Sequence, residues 1–422
     1  MKYMNLYQLN KKILKNNCRI NLTYFFLYLS LILGFILAED FTIGQTIDYN
    51  IHREKIEIFK RDIINGLLKY EEYPSITHSP VYILYAVILE RIFSNEIIVR
   101  LVNLHFVLLI PLIFYKTLIL KYNNKLNGFI KFIPVLFFIS PHYRAGSIWL
   151  DDNILAITFF IFSIYFFTKY KSNNKELIFI ILNSFFLSIA AYIRPIYSIF
   201  VIFFFVVFLY ELKFSRKFVY YVICNIILAI PAFYYVFILK ITGWFDKNIF
   251  ISNPITILSI SLSIIFYYCI PILITSFKSR ISIFSFFLCF FFLLLQYFYF
   301  NYNLSYSGGV IYRFILFLTN SKIFFFICSS IFLYFMFNIF FKFNKKYFSD
   351  VILFFILCLL EIDGVIFSET FDPLIYIIFF LLVRNPICKD YLGAYSRKKL
   401  TILLFFLTLN FMFFITKTFL TL

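Results

Sequence analysis

Residues 29–50 read LSLILGFILAEDFTIGQTIDYN, and this stretch passes directly from an apolar run into two adjacent carboxylates, Glu39 and Asp40. The apolar run covers roughly residues 22–38, which is within the length range of a transmembrane helix. Two explanations of the acidic pair are open at this point. It either marks the solvated end of the helix or carries chemistry at the membrane surface, and the rest of the sequence bears on that choice.

The composition of the chain is that of an integral membrane protein. Of its 422 residues, 62% are hydrophobic and only 14% are charged. Apolar runs of about 20 residues recur along the whole chain, and that is the length that crosses the hydrocarbon core of a bilayer. This pattern predicts an all-α, polytopic transmembrane helical bundle with no soluble domain. The seven cysteines form no C-x-x-C pair, which argues against a zinc site or a disulfide framework.

The basic residues predict the topology. Lys and Arg concentrate in cytoplasmic loops of membrane proteins, so the net charge of +18 is interpreted as a topology signal and not as a nucleic-acid-binding surface. Seven basic clusters are separated by pairs of apolar runs, and placing every cluster inside predicts about thirteen spans with the N-terminus inside. The clusters lie at residues 2–19, 116–131, 169–175, 213–217, 278–280, 342–346 and 384–399.

The first outward segment, residues 39–96, is the longest. It carries ten of the 21 acidic residues of the chain. Isoleucines and leucines at mixed helical spacing in DYNIHREKIEIFKRDIINGLLKY (residues 48–70) predict an amphipathic helix on the membrane surface. A second one is expected in SPVYILYAVILERIF (residues 79–93), because its apolar run is too short to span a bilayer.

Acidic residues also stand at the outer ends of other predicted helices. Asp151 and Asp152 follow SPHYRAGSIWL, and Glu369 and Asp372 lie in SETFDP. A carboxylate at the lipid–water boundary loses part of its hydration, which raises its basicity and suits it to abstract a proton. The alternative for each of these residues is a solvated helix end.

Isolated cations and histidines share the outward segments with these acids. Arg144, Arg194 and Arg313 stand where charge is costly, and each either binds a phosphate through its forked donors or extends to lipid headgroups. His78 and His142 each lie beside a proline-containing turn. Asp40, Asp152 and His78 are candidate ligands for a divalent metal, although their spacing does not demonstrate a site, so metal dependence stays open.

Several of these segments resemble the GT-C superfamily of membrane glycosyltransferases. HSPVYILYAVILERIFSNEIIVRLVN is similar to the H-P-P segment of the protein mannosyltransferase and aminoarabinose-transferase branch, and SPHYRAGSIWLDDN is similar to its next outer loop and helix. The resemblance covers about the first 200 residues. Ser79 replaces the first proline of the pattern, and IRPIY stands where relatives often carry a Lys-Gly-Pro-type turn, so sugar and acceptor stay open.

The resemblance implies a single membrane domain over residues 1–422 that transfers a sugar from a polyprenyl-phosphate donor, with inversion, at the outer face. Asp40 matches the first catalytic acid and is expected to be the base, with Glu39 as the less favoured candidate. Asp152, or its neighbour Asp151, matches the second acid, and His78 lies at the re-entry motif. The remaining candidates are expected to bind substrate, and these are His142, Arg144, Arg194, Arg313, Glu369 and Asp372.

The expected partners are membrane lipid, the polyprenyl-phosphate sugar and a glycan, lipid or protein acceptor. No nucleotide or other cofactor is implied, and a bacterial cytoplasmic membrane is favoured over the endoplasmic reticulum. Two other classes of protein act on the same lipids or have the same topology. One is a glycan polymerase, ligase or flippase, and the other is a transporter, for which Glu361 and Asp363 would be the charges within the membrane.

Overall fold

All regular secondary structure that the computed structural model describes is helical. No strand occurs in the described residues, which confirms the all-α fold class. The described residues are 22–40, 44–68, 79–122, 128–238, 253–276, 283–302, 307–341, 347–361, 366–386, 391–392 and 396–421. The candidate site residue His78 and the predicted membrane charge Asp363 lie outside them.

The helices follow one another with short connections. In the first half they are α1 Leu22–Ile36, α2 Gln45–Arg61, α3 Ile63–Leu68, α4 Pro80–Phe93, α5 Glu96–Val107, α6 Leu109–Tyr122, α7 Val135–Ile139, α8 Pro141–Ile148, α9 Asp152–Lys169 and α10 Leu177–Ile193. In the second half they are α11 Phe200–Leu212, α12 Arg216–Phe233, α13 Pro254–Ser276, α14 Ile283–Tyr299, α15 Gly309–Thr319, α16 Lys322–Phe340, α17 Phe348–Cys358, α18 Leu374–Ile377 and α19 Ser396–Thr421.

Two serine–proline pairs start helices that position the site. The Ser79 hydroxyl accepts a hydrogen bond from the amide of Val81, and Pro80 occupies the first turn of α4. Ser140 caps α8 in the same way, with Pro141 following. Serine satisfies an amide that the helix leaves without a partner, and proline at the first turn sacrifices no hydrogen bond. The SPVY and SPHYR segments are therefore helix starts.

Five helical segments are long and apolar enough to cross a bilayer, by length and composition, among the described residues. They are Glu96–Tyr122, Asp152–Ser172, Pro195–Leu212, Arg216–Phe237 and Pro254–Thr275. Other segments that the sequence predicted to cross form shorter apolar helices, including α1, α10, α14 and α16. The chain is thus a helical membrane protein in character, and the count of about thirteen spans stays a prediction.

Helix α9 is the central element of the fold. It packs most extensively against α10 and next against α6, and most of its residues are buried. Its ring contacts include Phe160 with Phe200 at 4.5 Å and Phe167 with Phe204 at 5.0 Å. By contrast, α12 buries only Phe218 and Tyr221 of its side chains, as expected for a helix at the lipid-facing periphery. The packing of α9 against its neighbours therefore fixes the position of its N-terminus.

Contacts sort the connecting segments into two ends of the molecule. At one end, segments predicted to lie outward contact each other: Arg144 with Glu39, Arg194 with Asp152, and His142 with Ser368. At the other end, segments predicted to lie inward contact each other. Lys121 Nζ donates to the Val383 carbonyl at 2.8 Å, Lys171 pairs with Glu211 at 2.5 Å, and Lys217 Nζ donates to the Lys175 carbonyl at 2.7 Å. The alternation predicted from the basic clusters agrees with this sorting.

Helices α2 and α4 occupy the positions predicted for the two amphipathic helices of the first outward segment. The isoleucines and leucines of the predicted membrane-facing side are mostly half-buried or exposed, and Ile64 on α3 is 70% exposed. A different side of α2 packs against the rest of the protein. The buried residues recur every three or four positions and include Gln45, Tyr49, His52, Ile56 and Phe59. This face packs against α4, where the rings of His52 and Tyr82 are 4.8 Å apart, so polar and aromatic side chains form the contact.

Candidate functional site

A buried ion pair joins the end of α1 to α8. Arg144 Nε lies 2.7 Å from Glu39 Oε1 and Arg144 Nη2 lies 2.5 Å from Glu39 Oε2, and both side chains are only 5% exposed. The guanidinium also donates to the Ser30 hydroxyl and carbonyl, both at 3.0 Å, and to the Phe138 carbonyl at 3.3 Å. A buried pair persists when its remaining hydrogen-bonding groups are satisfied in this way. The Glu39 carboxylate is thus occupied as a structural partner.

Gly34 makes room for this ion pair. A Cβ atom at position 34 would overlap Glu39 Oε2 and would lie 3.0 Å from Arg144 Nη2. The amide of Glu39 donates to the Gly34 carbonyl at 2.8 Å, and Ala38 between them has a left-handed φ of 52°. A non-glycine residue is uncommon in the left-handed region of backbone conformation. The contacts of the neighbouring residues must therefore stabilise the turn at Ala38. The chain turns back at the end of α1 and lays Glu39 against its own helix.

The same turn holds Trp149, which lies between α8 and α9. Its indole Nε1 donates to the Glu39 carbonyl at 2.9 Å. The guanidinium of Arg100 lies over the Trp149 ring at 3.7 Å from its centroid, and Arg100 Nε donates to the Ile148 carbonyl at 2.9 Å. A cation over an indole face is attractive, more so away from water. Two arginines therefore fix the connection that leads into α9.

This connection presents two carboxylates. Asp151 is the N-cap of α9, where its Oδ1 accepts from the amide of Ile154 at 2.9 Å, and Asp152 is the first residue of the helix and is buried. Gly146 allows α8 to pack closely against the start of α9, because a Cβ at Gly146 would lie 3.0 Å from Asp151 Cβ and 2.6 Å from Ile154 Cγ1. Burial and the charge of Asp152 raise the pKa of Asp151 to about 6, although Arg194 opposes them.

Arg194, which follows α10, gathers acids from three parts of the chain. Its Nη1 lies 3.6 Å from Asp152 Oδ1, and its Nη2 lies 3.7 Å from Glu361 Oε1 and 3.3 Å from Thr370 Oγ1. Thr370 donates in turn to Glu361. Burial by itself would lower the pKa of Arg194, but the surrounding carboxylates outweigh it and raise the pKa above its ordinary value. The guanidinium is therefore a permanent cation shared among carboxylates.

Glu369 faces this group from the short turn Ser368–Thr370. Its carbonyl accepts from Asn153 Nδ2 at 3.1 Å, and its Oε2 lies 3.5 Å from Gln45 Nε2. Removal from bulk water and repulsion by Asp151 raise the pKa of Glu369 to about 8, against the opposing effect of Arg194. A carboxyl group with a pKa near neutrality can accept and return a proton at physiological pH.

These side chains line a small polar cavity, which we term the acidic chamber. It has a volume of about 30 Å³, which is too small for a sugar ring. Four carboxylates and one guanidinium face it. Its lining consists of Gln45, Asp48, Tyr49, His52, Trp149, Leu150, Asp151, Asp152, Arg194 and Glu369.

A much larger cavity adjoins the chamber, and we term it the aromatic cleft. Its volume of about 550 Å³ is in the range of small-molecule sites. Asp48 and Glu369 belong to both linings and so mark the junction of the two cavities. The cleft is lined by Gly44, Ile47, Asp48, His142, Ser307, Gly309, Val310, Arg313, Phe314, Phe317, Ile366, Phe367, Ser368, Glu369 and Phe413.

The structure distributes the predicted site residues between these places. Asp40 lines neither cavity, and its Oδ2 accepts from the amide and hydroxyl of Thr46, in the first turn of α2, at 2.9 and 2.7 Å. Asp372 lines neither cavity and is fully buried, and burial raises its pKa to about 7. His142 and Arg313 line the cleft.

Other residues of the site were not singled out from the sequence. In the sequence Asp48 is one of ten acids in residues 39–96, and nothing distinguishes it, Gln45 or Trp149 from their neighbours. Asp48 precedes Tyr49 on α2, and only the folded arrangement of that helix shows that it lines both cavities. No group of three or more His, Cys, Asp or Glu with metal-binding geometry occurs among the described residues. That part of the chain supplies no ligand set for a divalent metal, and metal dependence stays open.

Comparisons of the chain with protein-family models, with characterised proteins and with solved structures found no match. The resemblance to GT-C glycosyltransferases thus stays a prediction from the sequence motifs.

Gly34→Ala tests the buried ion pair. The added methyl group would displace the Glu39 carboxylate from Arg144, and breaking a buried pair costs about 3–5 kcal/mol. We expect the melting temperature of the detergent-solubilised protein to fall by several degrees in a thermal unfolding scan. Gly44→Ala is the matched control, because a Cβ there meets nothing within 4 Å. Equal melting temperatures for both variants would show that Gly34 does not hold the pair.

Proposed function

We propose that this protein is an integral-membrane glycosyltransferase, which transfers a sugar from a polyprenyl-phosphate-linked donor to a glycan, lipid or protein acceptor. The observation that carries the proposal is the junction of the two cavities. The carboxyl groups of Asp48 and Glu369 lie there, at the polar end of a cleft whose walls are largely apolar and aromatic. A donor with a long apolar chain and a polar reacting end requires such a combination.

The base in this proposal is Glu369. The acceptor hydroxyl gives its proton to the Glu369 carboxylate while its oxygen forms a bond to the anomeric carbon, and the bond from that carbon to the phosphate oxygen breaks. Polyprenyl phosphate leaves with the electron pair, and the configuration inverts. The raised pKa of Glu369 supports this role. We prefer it to Asp40 because the Asp40 carboxylate accepts hydrogen bonds from Thr46 and lines neither cavity.

Glu369→Gln should lower turnover of a polyprenyl-phosphate sugar by roughly 10²-fold or more, because the amide cannot accept the proton. Asp40→Asn is the matched control, since the asparagine Oδ1 can still accept a hydrogen bond from Thr46, and it should retain most of the activity. Turnover is measured with the purified protein and a panel of donors. If Asp40→Asn is inactive and Glu369→Gln is active, the first acidic pair supplies the base. If no donor is turned over while vesicles show transport, the enzyme proposal fails.

The pH profile offers a separate test of Glu369. A base must be deprotonated, so kcat/KM should rise with pH and level off above about 8. Asp151 raises the pKa of Glu369 through its negative charge, and removing that charge in Asp151→Asn should move the rising limb to lower pH. Asparagine preserves the cap of α9. A limb that stays in place, or that moves to higher pH, would contradict the assignment.

We also propose that the chain crosses a bacterial cytoplasmic membrane about thirteen times, with both cavities at the outer face. The two contact groups at opposite ends of the molecule support this arrangement. Reporter fusions after Asn50 and Gly309 should be active outside, and fusions after Lys171 and Lys217 should be active in the cytoplasm. A cytoplasmic result at Asn50 would place the acidic chamber on the wrong side for this chemistry.

A further inference from the structure

Two arginines are available to bind an anion in this site, and their surroundings differ. Arg194 already serves two carboxylates within 4 Å, those of Asp152 and Glu361, and two more acids of the chamber act on it electrostatically. A phosphate that approached Arg194 would enter a cavity of about 30 Å³ that is lined by four acidic side chains. Repulsion between like charges at short range and low dielectric opposes that approach.

Arg313 has no such neighbours. Its Nε donates to the Ser307 carbonyl at 3.0 Å, and no carboxylate of the described residues lies within salt-bridge distance of it. A guanidinium carries five donors, so the two terminal nitrogens are left to bind a ligand. Apart from His142, Arg313 is the one basic side chain among the described residues that line the aromatic cleft.

The local backbone holds Arg313 in place. Gly308 and Gly309 have left-handed φ values of 91° and 78°, and the amide of Gly308 donates to the Ile366 carbonyl at 2.9 Å. A side chain at Gly309 would collide with Ile264 on α13. The start of α15 is thus fixed against two other segments, and the SGGV segment (residues 307–310) positions the Arg313 guanidinium.

The wall beside Arg313 is apolar and accessible. Phe317 is 86% exposed and Phe314 is 58% exposed, although both lie at the cleft. Phe317 is four residues after Arg313, so both side chains share one face of α15. A cation that adjoins an exposed aromatic surface fits an amphiphile with an anionic head and a long apolar chain, and fits a free anion less well.

We propose that Arg313 binds the phosphate of the polyprenyl-phosphate lipid, with the isoprenoid chain along Phe314 and Phe317. Arg194 then organises the carboxylates of the chamber and does not contact the phosphate. The identity of the lipid rests on the proposed function, whereas the anion site does not. With Arg313 and Glu369 in one cleft, the phosphate and the base both face the volume in which the sugar would lie.

Binding of polyprenyl phosphate to the purified, detergent-solubilised protein tests this inference without requiring turnover. Arg313→Ala should weaken binding at least about tenfold, because a hydrogen-bonded charge is lost. Arg313→Lys should retain part of the affinity, since a point charge remains but the fork does not. Arg216→Ala, at the start of α12 and outside the cleft, is the matched control and should bind as the native protein does.

The outcomes separate the possible failures. Unchanged binding in Arg313→Ala, with a native melting temperature, would overturn the inference. Equal competition by phosphatidylglycerol would show that the site binds any anionic lipid headgroup. Equal competition by inorganic phosphate would show that the isoprenoid chain of the lipid contributes nothing to binding. Either result overturns the assignment to polyprenyl phosphate. If binding depends on Arg313 but no donor sugar is transferred, the proposed function fails while the phosphate site stands.

Discussion

The Glu39–Arg144 ion pair is the interaction on which the site depends. A charge in a low-dielectric environment is costly unless it is paired and hydrogen-bonded, so each partner dictates where the other must lie. Because Arg144 belongs to α8 and Glu39 lies just beyond α1, the pair fixes two helices that are more than 100 residues apart in sequence. The Glu39 carbonyl then holds Trp149, and Trp149 leads directly into the acids at the start of α9.

The two arginines of the site, Arg194 and Arg313, have different electrostatic surroundings. Arg194 neutralises part of a crowded group of carboxylates, and the repulsion that remains adds to burial in raising the pKa of Glu369. Arg313 stands in the same cleft as Glu369, with no carboxylate of the described residues in salt-bridge range. The carboxyl groups that can exchange protons therefore surround Arg194, whereas Arg313 is the guanidinium with room for an anion. In the proposed reaction these regions correspond to the attacking hydroxyl and to the departing phosphate.

The sequence predicted the helical membrane character, because that depends on local patterns of hydrophobicity and charge. It did not reveal the roles within the acidic pair. Glu39 and Asp40 are adjacent, yet one pairs with Arg144 and the other accepts hydrogen bonds from Thr46. Glu369 was expected to bind substrate, but its raised pKa depends on burial and on Asp151, a partner distant in sequence. Periodicity likewise indicated the apolar side of α2 but not the buried polar residues on the side that packs against α4.

The most direct test of this account is a structure of the protein in lipid with a non-hydrolysable polyprenyl-phosphate sugar bound. We expect the phosphate within hydrogen-bonding distance of Arg313, the first isoprene units against Phe317, and the sugar ring in the aromatic cleft beside Glu369. A phosphate bound at Arg194, or a sugar next to Asp40 and away from Glu369, would contradict the account.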